Sequence, residues 1–437
     1  MESGIFFNVA DTVAAAKGAY LRYADLTLNE RQDIIEEIKK TLLPMTRVLA
    51  DMTVEETGMG VGEDKEKKIR LAIEKTPGVE DLVTEVNTGD HGMTLYELSS
   101  FGVVCALQPC TNPCATLISN TIGMLAAGNA VIHCPHPRAE KVSRFLVNII
   151  CKAVRNLCGI DNLVVTLRGS TLGSIVETMS HPDVDMVVCT GGFASLHQAM
   201  ISDKKVIGAG PANPVAIVDA TADIKRAARD IVRGASFDNN LMCTSEKCIV
   251  AEERVHELLV YELLKNDVYY VRDRAQIQRL FRAVITPEGE INKRLEGKSA
   301  NEILAAAGMS CKENIRLIVA ETSRMHPFVT RELLMPLVPL LRADDFDHAL
   351  AIALEAEQGF RHTATVHSES MEHLNRAVRQ MQTAVFVKNG PSYMGIGFDK
   401  DGHTSFTIAT ITGEGTTTAR HFARRRRCTL TGGFSVR

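Results

Sequence analysis

Three textures of hydrophobic and polar positions follow one another along the chain. Over roughly the first eighty residues, apolar side chains recur at helical spacing, as in Val13–Tyr20 and Leu28–Leu49. Thr27 or Asn29 is placed to cap the second run, and Pro44 to kink or restart it. After Gly58, Gly60 and Gly62 comes a charged helical run, Glu63–Lys75, closed by Pro77-Gly78. From Leu82 to Phe101 the period shortens to alternation around Gly89-Asp90-His91-Gly92, which predicts a β-hairpin.

From Phe101 onward, short apolar runs alternate with helical ones. Val103–Leu107, Ala130–Cys134, Leu163–Leu167, Val184–Cys189 and Lys205–Ile207 read as strands. Between them, Thr116–Ala127, Arg138–Leu157, Leu172–Met179 and Phe193–Ile201 read as helices. A second block of the same kind follows Ala212-Asn213-Pro214. Its strands are expected at Val215–Val218, Lys247–Val250, Ile315–Val319, Leu334–Leu341, His362–Val366 and Ala384–Val387, with helices at Ile224–Ser236, Val255–Leu264, Phe346–Ala356 and Met371–Met381. Such repetition implies parallel sheets covered on both faces. Sheets of this kind take ligands beyond the carboxyl ends of their strands.

Composition narrows the class. A chain of 437 residues exceeds one core, so two large domains are expected. At 45% hydrophobic, 23% charged and a net charge of -4, the balance is that of a soluble globular protein without a nucleic-acid footprint. No basic segment followed by a long apolar core opens the chain, and Ile118–Ala127 is too short to span a bilayer. The eleven cysteines have no repeating spacing, which favours reduced thiols in a cytoplasmic compartment. Cys110/Cys114 and Cys243/Cys248 lack the second pair or histidine cluster of a zinc site, so no metal is expected.

One cysteine keeps unusual company. Cys243 follows Asp238, Asn239 and Asn240 and precedes Thr244, Ser245 and Glu246, ahead of an apolar strand. A thiol on a polar loop before a rigid strand is placed to be a nucleophile. Three other loops stand at strand ends. Gln108-Pro109-Cys110-Thr111-Asn112-Pro113 presents Asn112 between prolines, either as an amide donor to an oxyanion or as a helix N-cap. Cys189-Thr190-Gly191-Gly192 suits either a phosphate at a helix start or a plain tight turn. Gly208-Ala209-Gly210-Pro211 lacks the third glycine and the helix of a dinucleotide fingerprint.

Taken in order, the runs QPCTNPCATLISNTIGMLAAGNAVIHCPHPRAEKVS, VVCTGG, GAGPANP, GASFDNNLMCTSEKCIV, HPFVTRELLMPLVPLLR, FVKNGP and TGEGTTTAR resemble the aldehyde dehydrogenase superfamily. The resemblance runs from Phe6 to Phe434. It is strongest to the CoA-acylating branch, the acetaldehyde and propionaldehyde dehydrogenases of ethanolamine and propanediol utilisation. It implies two Rossmann-like α/β domains plus a β-hairpin oligomerisation flap. The expected division is 1–81 and 101–213 for NAD and CoA binding, 214–403 for catalysis with the nucleophile, and 82–100 with 404–437 for the flap. The active site is expected in the cleft between the domains.

Residue by residue, Cys243 matches the family's nucleophile. Asn112 and the Cys243 backbone N–H match the oxyanion donors of a thiohemiacetal that gives its hydride to NAD. Thr190, Gly191 and Gly192 match the turn beside the pyrophosphate, and Glu332, in Arg331-Glu332-Leu333-Leu334, the glutamate on the nicotinamide ribose. That carboxylate also reads as a solvated loop group. Gly208, with Gly210 beyond it, opens the segment in which hydrolytic relatives carry a water-activating glutamate. The lysine and glutamate that grip the adenosine ribose in those relatives fall on Cys134 and Pro137, in the segment Cys134-Pro135-His136-Pro137. Without the glutamate, the acyl-enzyme waits for a thiol such as CoA in a ping-pong cycle. A short-chain aldehyde is the implied substrate.

Other features read more simply. Arg424–Arg427 suggests an exposed or subunit-interface strand rather than a nucleic-acid site, Cys248 a core thiol, and Cys110 and Cys114 neighbours of the site. His326, His362 and His367 are candidates for the base that deprotonates CoA, each with a core or loop role as the alternative. The resemblance implies a homodimer or homotetramer, without membrane partners. Microcompartment members carry an additional amphipathic peptide at one end, and the helical start here leaves both a free and an encapsulated protein open. A hydrolytic dehydrogenase would need another base at Gly208; a silent scaffold would have no need of Cys243 with Asn112.

Overall fold

The computed structural model describes residues 2–312 and 314–432; positions 433–437, the last of the expected flap, with Phe434, lie outside the described residues. After a two-residue strand the chain runs through helices. α1 (Val9–Tyr23) is capped by the Asn8 side chain, and α2 (Leu28–Leu42) by a Thr27/Glu30 capping box. Pro44 sits in a 3-10 turn, Leu43–Met45, after which the helix restarts as α3 (Thr46–Thr57). α4 spans Gly62–Lys75. α5 spans Pro113–Ala126 and is buried along its whole length.

The first part of the chain carries eight strands among these helices: β1 (Ile5–Phe6), β2 (Glu85–Gly89), β3 (Gly92–Ser100), β4 (Val103–Leu107), β5 (Ala130–Cys134), β6 (Val164–Leu167), β7 (Met186–Thr190) and β8 (Lys205–Ala209). Six of them form a parallel sheet in the order β1-β6-β5-β4-β7-β8. From β4 the chain builds first toward β5 and β6, then on the other side toward β7 and β8. The topological switch point therefore lies between β4 and β7, where such folds bind ligands.

The second block supplies β9 (Val215–Val218), β10 (Cys248–Glu252), β11 (Val268–Val271), β12 (Leu317–Glu321), β13 (Leu337–Ala343), β14 (Thr363–His367) and β15 (Val385–Lys388). They form a seven-stranded parallel sheet, β11-β12-β13-β10-β9-β14-β15. Its strands read as unbroken apolar runs because both faces are covered. Ala216, Val218, Ile249 and Ala251 pack with the helices Ile224–Ser236 and Glu253–Leu263. The alternate residues Val215, Ile217, Cys248 and Val250 pack with Phe346–Glu357 and Met371–Met381. Near the end of the chain come β16 (Ile408–Ala409), β17 (Gly415–Thr416) and β18 (Ala423–Leu430). The hairpin β2–β3 turns at Asp90-His91, and β18 pairs antiparallel with β3 to give a three-stranded sheet.

The chain divides into two compact units. One is built from residues up to Thr57, Glu66–Gly210 and from His403 onward; the other from Gly58–Lys65 and Pro211–Gly402. The second thus starts three residues before the expected 214 and takes in Gly58–Lys65. That segment is tied there by the Lys65–Asp238 ion pair at 3.1 Å and by Gly60 N–H to Gly297 O at 2.8 Å. The pattern did not announce β1, β11 or the helices Arg274–Val284 and Ala300–Ala306. Among the described residues no helix is long and apolar enough to cross a membrane.

Candidate active site

Asp238, Asn239 and Asn240 all adopt left-handed backbone, with φ of 48, 53 and 64°. Asp and Asn are the side-chain-bearing residues that tolerate this region best, which explains a run that composition alone reads as merely polar. Each is tied by a different bond. Asp238 accepts from Lys65 Nζ at 3.1 Å and from Val61 N–H at 2.7 Å. The Asn239 amide donates to Gly297 O at 2.8 Å, and that of Asn240 to Ala235 O at 2.7 Å and Glu246 O at 3.0 Å. The turn ends the helix Ile224–Ser236 and delivers the chain to Cys243. Of residues 241–250, Cys243 alone is partly exposed; the other nine are buried. One thiol is presented to solvent from an otherwise buried loop.

Beneath that loop lies a charged cradle. Lys247 is buried and donates to Asn240 O and Oδ1, both at 2.6 Å, and to Met242 O at 3.1 Å. Burial pulls its ammonium down to about 8, while the charges of Glu332, Cys243 and Glu246 oppose the shift. At neutral pH it remains a cation within electrostatic reach of the thiol. Glu246, wholly buried, is pushed up to about 7 by burial although Ser392 donates to it twice, each at 2.8 Å. Gly234 makes room for this carboxylate: a Cβ there would lie 2.2 Å from Glu246 Oε2.

Glu332 keeps some surface, but burial raises its carboxyl above the ordinary range against the pull of Lys247. The Ala212 N–H reaches it at 3.4 Å. It belongs to the same charge group as Lys247 and Cys243 and is not a solvated loop carboxylate. Leu334, two residues on, has φ of 54°, an outlier for a bulky residue, and its carbonyl accepts from Gly297 N–H at 2.8 Å.

In the first unit, the expected loops line one edge of the six-stranded sheet. Asn112 occupies the N-cap position of α5 but its side chain makes no capping bond; Oδ1 accepts from Lys68 Nζ instead. Thr190 closes β7 and bonds Thr407 through their hydroxyls at 2.8 Å. Gly191 and Gly192 both avoid positive φ, and a Cβ on Gly192 would meet nothing within 4 Å. Internal packing does not demand glycine there, so the open approach faces outward, at the start of the helix Phe193–Met200. A pyrophosphate fits such a place. Gly208 is enclosed within β8: a Cβ would stand 2.5 Å from Leu196 Cδ1, and its N–H donates to Thr412 Oγ1. At Gly210 the neighbour is Ile411, at 3.1 Å. Cys134 turns into the core with Sγ 3.6 Å from Cys105 Sγ, and Pro135 is buried as well. Neither offers side-chain surface to a cofactor, Cys134 as the last residue of β5 and Pro135 buried directly after it; Pro137 is the exposed residue of that segment.

The three candidate bases separate. His326 caps the short helix Pro327–Thr330 and packs edge-on against Phe328. His367 is buried in β14 and pulled down to about 4 by burial. His362, buried ahead of β14, is pulled down to about 3 by burial and the Lys247 charge, and its Nδ1 bonds Thr363 Oγ1 at 2.8 Å. It alone of the three feels the cradle. Cys248 is core, and burial raises its thiol to about 12. Cys110 keeps some surface, while Cys114 is buried beside Thr53. Arg424–Arg427 lies on exposed β18, with Arg425 paired to Glu85 at 2.6 Å.

Sequence reasoning missed Lys65, Lys68 and Lys247. Lys65 and Lys68 stand in register with Ile69, Ala72 and Ile73 on the buried stripe of α4, so lysines at apolar positions were the available signal. Asp219, Glu252 and His373 also gather ligand-type atoms within 4.8 Å of one another. Asp219 is already taken up by Thr221, Ser368 and His373, so the group reads as an internal network.

A doubly built parallel α/β chain with a presented thiol and glycine turns at a switch point has close counterparts. The aldehyde dehydrogenase family model matches residues 7–287, and the chain belongs to that family. It is 48% identical over 435 residues, 99% of this chain and 93% of the relative, to the propanal dehydrogenase (CoA-propanoylating) of Salmonella typhimurium. The crystal structure of Rhodopseudomonas palustris propionaldehyde dehydrogenase with bound propionyl-CoA is 44% identical, with a TM-score of 0.96 over 98% of this chain and 95% of that one. The propionaldehyde dehydrogenase from the Clostridium phytofermentans fucose utilisation bacterial microcompartment is 41% identical, with a TM-score of 0.97 over 100% of both chains.

Proposed function

We propose that this protein oxidises a short-chain aldehyde such as propanal or acetaldehyde to its acyl-CoA, reversibly: aldehyde, CoA thiol and NAD(P)+ give acyl-CoA, NAD(P)H and a proton. The observation that carries the reading is Cys243, the one residue of 241–250 that is not buried, directly after the strained turn 238–240. Its thiolate adds to the aldehyde carbon beside the Lys247 cation. The Asn112 amide and the Cys243 backbone N–H receive the oxyanion. Bound NAD(P) supplies the hydride acceptor, with Gly191 and Gly192 at its pyrophosphate and Glu332 at its ribose. Loss of hydride from the carbon leaves a thioester on Cys243. The CoA thiol loses its proton and its sulfur then displaces Cys243; of the three histidines we assign the proton to His362, which feels the Lys247 charge and is a weak base while it stays buried. Gly208 supplies no carboxylate for water, and its packing against Leu196 leaves no ready room for one.

The three-stranded sheet, exposed along almost all of β18, serves in our reading as the assembly surface of a homodimer or homotetramer. Sedimentation of the protein with and without 423–437 tests this. We place the enzyme in the cytoplasm, free or within a microcompartment like that of the Clostridium relative.

The decisive experiment follows reduced-nucleotide absorbance from propanal and acetaldehyde with and without CoA. Sustained turnover only with CoA is expected. Equal turnover without it would move the protein to the hydrolytic reaction.

A further inference from the structure

The side chain of Asn112 has an acceptor end and a donor end, and a half-turn about its last bond exchanges them. Oδ1 accepts from Lys68 Nζ. Among the described residues Nδ2 has one contact, a 3.4 Å approach to the adjoining Thr111 hydroxyl. An ammonium carries three donors and no acceptor, so it admits only the oxygen end. Lys68 is 1% exposed, in the middle of α4. A charge so buried must stay paired. The amide is thereby held in one of its two orientations, with the N–H pair turned away from Lys68.

We infer that Lys68 is a positioning residue for the reaction: it fixes the Asn112 amide with its N–H outward and polarises it, so that the donor is set before the oxyanion forms on Cys243. This rests on the proposed oxyanion role of Asn112. A cation at Oδ1 draws electron density from the amide nitrogen and strengthens its N–H as a donor. A donor already oriented needs no reorganisation when the charge develops, which is where such groups accelerate acyl-transfer chemistry most. The missing capping bond agrees: α5 starts with a proline at N1, and Asn112 is spared from the helix for another use.

The test compares Asn112→Ala, Lys68→Met, Lys68→Arg and the Asn112→Ala/Lys68→Met double variant of the full chain, with CoA present. Asn112→Ala is expected to lower kcat/KM for aldehyde roughly 100- to 1,000-fold. Lys68→Met should lower it roughly tenfold or more, in kcat rather than KM, and Lys68→Arg, again a donor-only cation, should recover most of that. The double variant should fall no further than Asn112→Ala alone. Lys68→Met within twofold of the parent, with Asn112→Ala crippled, overturns the inference and leaves the oxyanion role standing. Effects that multiply in the double variant overturn it too, since Lys68 would then act without Asn112. Parent-like Asn112→Ala would instead remove the oxyanion role itself. If Lys68→Met does not fold, Lys68→Gln replaces it: glutamine also accepts, so the amide is released, and full activity there overturns the inference.

Discussion

The loops of the six-stranded sheet that match site segments, the oxyanion loop after Leu107 and the turns after Cys134, Thr190 and Ala209, all follow their strands. In the seven-stranded sheet, Cys243, Glu332 and His362 all precede theirs, β10, β13 and β14. The difference is electrostatic. In an α/β sheet each helix starts at the carboxyl edge and ends at the amino edge. The carboxyl edge therefore gathers free N–H groups and positive dipole ends, which suit phosphates. The amino edge receives helix C-termini, such as that of Ile224–Ser236 just ahead of Cys243, whose partial charge is negative. A thiolate made there needs a cation from a side chain, and Lys247 is that cation. The glycine turn after Thr190 on the first edge works with backbone left open, the second edge with buried charge beside its nucleophile.

Acid should probe the charge of the second region most. His133 in the first unit and His362 and His367 in the second are buried, with burial lowering them to about 3, 3 and 4. Their folded values lie below the unfolded value of 6.5, so their contribution is intact above that pH and is lost as pH falls toward 4. The slope is about 1.4 kcal/mol per pH unit for each histidine. Glu246, raised to about 7, takes up a proton in the folded state over the same range and offsets one histidine of the pair, so the two regions should lose protection alike between pH 7 and 5. Glu246→Gln removes that offset, and hydrogen exchange at the two pH values, corrected for intrinsic rates, should then show the larger loss in 211–402. Equal losses in that variant would break the contrast.

Lys247→Met comes next. It strips the donors from Asn240 and Met242 and leaves Glu246 and Glu332 without their cation, for a loss of roughly 3–5 kcal/mol in urea unfolding together with most of the activity. A loss under about 1 kcal/mol would mean the cradle is not held by charge. The smallest effects compare two glycines. Gly192→Ala, with nothing in its way, should leave stability within about 0.5 kcal/mol and weaken NAD(P) binding a few-fold. Gly234→Ala adds the same methyl against Glu246 and should destabilise by roughly 1–3 kcal/mol, where an open helix site would gain. Matching behaviour at the two sites would erase the distinction.

Much of this was legible in the chain because strands buried on both faces write themselves as apolar runs. β4, β5, β9 and the helix Ile224–Ser236 fall at their expected residues. β1 has two residues and no period to read, and β11 four. The helix Arg274–Val284 was readable, since Ile277, Leu280, Phe281 and Val284 keep helical spacing among charged neighbours. Cys243 stood out through its neighbours, but the reason for those neighbours did not: left-handed φ is a property of the backbone, not of polarity. Lys65 and Lys68 escaped because their partners are remote in sequence, Asp238 173 residues from Lys65 and Asn112 44 from Lys68. Charge reads as surface until its partner is known.

The three-stranded sheet also sets a schedule. Thr94 and Thr429, neighbours across β3 and β18, are 335 residues apart. At a ribosomal pace of roughly 5–20 residues per second, β3 emerges about 17 to 67 seconds before the strand that covers it. For that interval its outer edge is an unfilled pairing template on every nascent chain of a polysome, where neighbouring copies carry the same one.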